Sequence, residues 1–183
     1  MTLSQGSDRY SSAVIALHWL TAMLIALAYA TIELRVFFEK GSEPRELMKA
    51  LHFMIGLTVL LVVVLRIAAR LASSTPPIHP APPSWQAFAA RSVHVLLAVF
   101  MVAMPLLGWS ILSAGGHTIP FWGLSLPPIT AVDKDAAKSM KEIHEMIGTV
   151  GYFLIGAHAL AALAHHYIQK DNTLTRMIPR RAG

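Results

Sequence analysis

The 183-residue chain contains no cysteine. That excludes disulfides, thiolate-bound iron–sulfur clusters and cofactors attached through a C-x-x-C-H motif. Charge is scarce as well. Asp, Glu, Lys and Arg make up 14% of the residues, against about 25% in soluble domains. There is no internal repeat and no stretch polar enough to form a soluble domain. With 55% apolar residues and a mean hydropathy of +0.54, too little polar surface is available for a water-soluble fold. No nucleic-acid partner is expected.

Four long apolar stretches are present instead, Ala13–Ile32, Leu51–Leu71, Val93–Ser113 and Ile143–Ile168. Each is near or above the ~20 residues that cross a bilayer as a helix. Lipid offers no water to unpaired backbone amides, so helices are the expected spanning form. The fold class that follows is all-α, an integral membrane four-helix bundle forming a single transmembrane domain over residues 1–183. The first stretch is too long for the apolar region of a secretory signal, and no small-residue cleavage site follows, so it is expected to persist as a span. Residues 33–49 read as a charged surface turn or short helix. SSTPPIHPAPPS reads as an extended, rigid connection. The third connection, residues 114–140, begins with apolar GGHTIPFWGLSLPP, where Phe121 and Trp122 suit an interfacial cap, and ends in polar VDKDAAKSMK.

Four spans put both termini on one side. That side carries Arg9, Arg66, Arg70, Arg91, Lys170, Arg176, Arg180 and Arg181, and the other Arg35, Lys40, Arg45, Lys49, Lys134, Lys138 and Lys141, 8 bases against 7. The cluster Arg176, Arg180 and Arg181 points to cytoplasmic termini under the positive-inside rule.

Ionisable side chains inside a membrane usually mark function. His18, His52, His94, His144, His158 and His165 all fall within or at the ends of the apolar stretches. His144 and His158 share the last one. Fourteen helical steps bring them within about 40° of one face and about 21 Å apart along the axis. Depth counting pairs them with the other spans. His52 enters the second span from the outer side, at the level of His144. His18, about five residues into the first span, matches His158 near the inner end.

Two imidazoles per site are too few for structural zinc, and copper or nickel usually takes more nitrogen or oxygen donors. A haem supplies four nitrogens itself and needs only two axial ligands. Paired histidines on facing helices therefore suggest two non-covalent, bis-histidine b-type haems stacked across the bilayer, with His18, His158, His52 and His144 as iron ligands. Gly56, Gly148 and Gly151 lie in register with them, as a flat macrocycle requires, although small residues also serve ordinary helix packing. Arg66 and Arg70, one turn apart, can hold haem propionates or snorkel to headgroups. His165, seven residues beyond His158 and about 10 Å nearer the inner surface, is poorly placed for the same iron. It can instead give a hydrogen bond or proton to a quinone carbonyl. His166 reads as interfacial, and His79 and His117 carry no assigned role.

The stretches ALHWL, ELMKALHFMIG, EIHEMIGTVGYFLIGAHALAALAHHY and KDNTLTRMIPRR resemble the bacterial four-helix cytochrome b561 family over nearly the whole chain. The resemblance implies a dihaem protein of the cell inner membrane with the same two histidine pairs and cytoplasmic termini. It also implies a superoxide oxidase activity, in which superoxide or another small periplasmic donor is oxidised outside and ubiquinone is reduced inside. Such an activity implies a basic approach to the outer haem, for which Arg35, Lys138 and Lys141 are the candidates. The outer segments carry 8 acids against 7 bases, so only a local patch would attract an anion. Membrane lipid is the other expected partner. Two alternative functions fit less well. A membrane-anchor subunit taking electrons from a dehydrogenase or hydrogenase would dock on outer loops that are short. A metal or proton transporter would need intramembrane carboxylates beyond Glu142 and Glu145.

Overall fold

The computed structural model describes residues 8–179. Arg180 and Arg181, counted above toward orientation, lie outside them. Four long helices dominate: α1 Ser12–Leu34, α2 Glu43–Leu71, α3 Ser84–Ala114 and α4 Lys134–Ala164. All four are long and apolar enough to cross a membrane.

The last three begin about two turns before their apolar stretches. For α2 and α4 the reason is local chemistry that an apolar window does not register. Ser42 precedes α2, whose first turn holds Glu43, Pro44 and Glu46, so carboxylates meet the positive end of the helix dipole. The Asp133 side chain accepts from the amides of Asp135 and Ala136, at 3.1 and 3.0 Å, and starts α4. The expected loops are thus shorter than the sequence suggested. Residues 43–49 and most of VDKDAAKSMK are helical. At its other end α4 stops short of Ile168. His165–Gln169 form a π-helical turn, closed by Lys170 in the left-handed region at φ 56°.

The cap in the third connection is a small antiparallel hairpin of two strands, β1 Ile119–Phe121 and β2 Leu124–Leu126. Its turn puts Trp122 at φ 46° and Gly123 at φ 87°. A type I′ hairpin turn needs two positive φ values and usually recruits Asn or Asp before Gly. Trp122 in that place hid the turn from the sequence reading. Ile119 is buried against Leu57 and Leu112, and the Trp122 indole donates to Thr58 Oγ1 at 2.9 Å, which fastens the hairpin to α2 and α3.

The dry core lies between α1, α2 and α3, where Leu24, Ile55, Val59, Val62, Val63 and Met101 pack together. The backbone of α4 is a close neighbour of α3 but keeps off α1 and α2. Gly151 is its one buried residue among those described. The outward surface is apolar, with Leu61, Val64, Val99 and Phe153 all exposed, as a lipid-facing bundle requires. At the inner end the C-terminal segment folds back. The Trp19 indole donates to the Met177 carbonyl at 2.7 Å, Asn172 bonds the loop at Pro77 and His79, and buried Arg176 donates to the Pro76 carbonyl.

Candidate functional site

Because α4 keeps off α1 and α2, its histidines face theirs across a gap. The rings of His52 and His144 have centres 6.2 Å apart, and those of His18 and His158 6.3 Å apart. An imidazole nitrogen sits about 2.0–2.1 Å from a first-row metal, and with roughly 1.1–1.2 Å more to each ring centre, two trans imidazoles have centres about 6.3 Å apart. Both separations match one metal between each pair. Among the described residues no three His, Asp or Glu side chains gather as metal ligands, so each pair offers two imidazoles. Haem needs no more than that.

The outer pair opens into a cavity of about 560 Å³ lined by Gly56, Gly108 and Gly148. A Cβ added at Gly56 would meet nothing within 4 Å, and one at Gly108 would stand 3.6 Å from the His144 ring. The space beside the imidazoles is therefore bounded by helix backbone, as a flat ring needs. His52 Nδ1 donates to the Ala28 carbonyl at 2.8 Å, leaving Nε2 with its lone pair for a metal. His144 Nδ1 is buried without a hydrogen-bond partner, as expected of a ring built to meet a bound group. The outer residues fit a b-type haem.

Gly151 differs from the expectation that it leaves room for a macrocycle. A Cβ there would run into the Tyr29 hydroxyl and the Phe100 ring. The glycine admits an aromatic wedge halfway between the two histidine levels. Tyr29 donates to the Gly148 carbonyl at 2.7 Å and packs its ring 4.3 Å from Tyr152, which donates to Glu33 at 3.0 Å.

Charged side chains at the outer cavity are mostly basic. Arg35, Arg45, Lys49 and Lys141 line it, against Glu33 and Glu145. Lys141 pairs with Glu145 at 2.7 Å, and Arg45 is tied to the carbonyls of Phe38 and Arg35 at 2.8 and 3.2 Å. Lys138 is not among the lining residues. Arg45 and Lys49 escaped the sequence reading because both sit in what read as a loop. Gly108 escaped because it lies on the span without an assigned histidine.

The inner pair is more crowded. His94 of α3 stands 5.3 Å from His158, ring centre to ring centre, a third histidine that depth alone left unassigned. Arg66 lies 2.8 Å from His18 Nδ1. Guanidinium only donates, so that nitrogen accepts and the proton of the neutral ring sits on Nε2. Metal binding through Nε2 requires Arg66 to release Nδ1, which would free it for a propionate. Arg70 instead donates to the Ser73 carbonyl and to Thr75, and lies over the Tyr10 ring. His165 meets buried Asp171 at 2.5 Å. Burial pushes the Asp171 carboxyl up, but the hydrogen bonds from His165 and Thr173 outweigh it and hold the group below its usual range.

Residues 9–180 match the family described as prokaryotic cytochrome b561. The chain is 42% identical over 174 residues to cytochrome b561 homolog 1 of Escherichia coli K12, covering 95% of this chain and 99% of that protein. It is 38% identical to a Yersinia pestis protein named probable superoxide oxidase CybB, over 96% and 98% of the two chains. It is 29% identical to cytochrome b561 homolog 2 of Escherichia coli K12, over 97% and 95%.

Proposed function

The chain belongs to the prokaryotic cytochrome b561 family, and from that premise we propose that it is a superoxide:ubiquinone oxidoreductase with two haems per chain. Membership makes it a multi-pass membrane cytochrome that binds b-type haem and transfers electrons. The finer reading rests on one observation above all: α4 carries two imidazoles, each about one metal-bridged span from a histidine of another helix. His52 and His144 hold the outer haem, and His18 and His158 the inner one. Haem b, when bound, supplies a one-electron carrier at each pair.

The chain's own residues do the rest. Arg35, Arg45, Lys49 and Lys141 draw an anion toward the outer cavity despite the acidic excess of the outer segments. Tyr29 and Phe100 fill the gap at Gly151. The Ala28 carbonyl fixes the His52 ring, and Arg66, once released from His18, would neutralise a propionate at the inner end. His165 supplies protons where quinone is reduced. The balance is simple: two superoxide anions each give up one electron and become dioxygen, and one ubiquinone takes two electrons and two protons to become ubiquinol. The relative named for superoxide oxidation favours this donor. We place both termini in the cytoplasm of a bacterial cell and the protein in its inner membrane.

The test is stopped-flow mixing of the haem-loaded protein with superoxide and a ubiquinone analogue. Haem reduction by superoxide, followed by quinol formation in a two-to-one ratio, is the expected result. If neither exceeds the background of haem-free protein, the assignment fails.

A further inference from the structure

The C-terminal turn holds a buried acid–imidazole pair that superoxide oxidation does not require. Asp171 is tied to His165 twice. Its carboxylate accepts a hydrogen bond from Nδ1–H at 2.5 Å, and its backbone amide donates to the His165 carbonyl at 3.1 Å. The second bond exists because α4 ends in a π-helical turn and Lys170 adopts the left-handed conformation, which sends the chain back under His165. Thr173 donates to the other carboxylate oxygen at 2.8 Å. The Asp171 side chain is 2% exposed and that of His165 17%. A carboxylate with so little access to water would be a liability if it served only to end a helix, which Gly or Asn does without burying charge.

We propose that Asp171 is the positioning residue of a proton-delivering pair, in which it orients His165 so that the ring gives its Nε2 proton to the oxygen of a membrane quinone at the inner end of the bundle. This deepens the reading above and rests on it. With Nδ1–H committed to the carboxylate, Nε2 is the ring atom left for proton exchange. The carboxylate keeps its charge throughout. The two electrons come from the one-electron donor outside, each proton passes from Nε2 to quinone oxygen, and the ring takes its replacement from water at the cytoplasmic surface. The low position of the Asp171 carboxyl agrees with a group that stays ionised while its partner cycles.

The other titratable and charged groups at this end are distributed over every element packed there. Arg176, Lys170, His166 and Tyr167 lie on the C-terminal turn, and His79 on the loop after α2. Arg66 and Arg70 end α2, Arg91 and His94 begin α3, and Tyr10 leads into α1. Arg176 is bound to the Pro76 carbonyl and to the Tyr10 face. Arg66 is engaged with His18. Within hydrogen-bond reach, Asp171 is the acid that His165 has.

The experiment uses full-length haem-loaded protein in detergent, reduced with stoichiometric dithionite and mixed with a ubiquinone analogue across a pH series. Wild type is expected to be reoxidised by quinone at a rate that falls as pH rises past the donor's range. In Asp171→Asn the rate should drop about tenfold, and the alkaline limb should move to lower pH, because the neutral amide removes the charge that favours a protonated partner. KM for the analogue should be unchanged, and Asp171→Glu should recover part of the rate. His165→Gln should abolish the limb, and it carries the test if Asp171→Asn loses haem. A second readout is independent of turnover. In the reduced protein the hydrogen-bonded Nδ1 proton should give a far-downfield resonance, lost in both Asp171→Asn and His165→Gln. Quinone-driven reoxidation of Asp171→Asn with the wild-type pH profile would overturn the pair while leaving the quinone reading standing. Wild type that quinone does not reoxidise would overturn the quinone reading itself.

Discussion

Around His52 and His144 the protein leaves open space, walled by glycine backbone and fringed with lysine and arginine. Around His18 and His158 it adds further titratable side chains: His94 beside one ring, Arg66 on the other, and the His165–Asp171 pair beyond. The two histidine pairs have nearly the same ring separation, 6.2 and 6.3 Å. They differ in everything else around the rings. An end that accepts electrons from a small anion needs access and positive charge. An end that hands electrons to a quinone needs protons delivered at a fixed point. On the proposed reading, the surroundings of the two similar histidine pairs distinguish the donor end from the acceptor end.

Closing the outer cavity should have the largest effect. Gly108→Phe places a ring where even a Cβ stands 3.6 Å from His144. Haem content should fall by about half and superoxide oxidation should vanish, while the inner centre still gives a haem spectrum. Loss of both haems together would show that the two ends are not separate sites. Charge reversal should act next in size. The double variant Arg35→Glu, Lys141→Glu should slow haem reduction by superoxide about tenfold at low salt, with the gap narrowing as ionic strength rises. Quinone-driven reoxidation should not change. An equal slowing of both half-reactions would show that the outer bases are structural.

At the boundary between the two ends, Gly151→Ala should cost about 1–3 kcal/mol through collision with Tyr29 and Phe100. Thermal unfolding followed by haem absorbance would measure it, and no change in midpoint would remove the wedge from the account. The smallest effect concerns acid. The folded Asp171 carboxyl lies below its ordinary value of 3.8, so its stabilisation is present above that value and lost as pH falls through the lower folded one. Limited proteolysis of the C-terminal turn should therefore accelerate below about pH 4, and in Asp171→Asn this acid step should disappear. An acid step that persists in the variant would assign it to another group.

What could be read in advance follows the physics of each feature. Span number came from the length of apolar runs, which lipid enforces directly. The facing of His52 with His144 and His18 with His158 came from depth, since helical rise is constant. The early starts of α2 and α4 were hidden because Glu43, Pro44 and Glu46 in one first turn, and the Asp133 cap of the other, continue a helix where hydropathy ends it. The hairpin was hidden by Trp122 at a position that normally recruits Asn or Asp. His94 needed the packing of α3 against α4, which no single-helix count contains. Asp171 needed the π turn and left-handed Lys170, without which a residue six positions after His165 would be carried away along the helix.

The most direct test of the central claim is a pyridine-haemochrome count of haem per chain in wild type and in the single variants His52→Ala and His18→Ala. The account predicts two haems in wild type and one in each variant, with superoxide reducing the haem that remains in His18→Ala but not the one in His52→Ala. One haem in wild type, or a variant that keeps two, would contradict it.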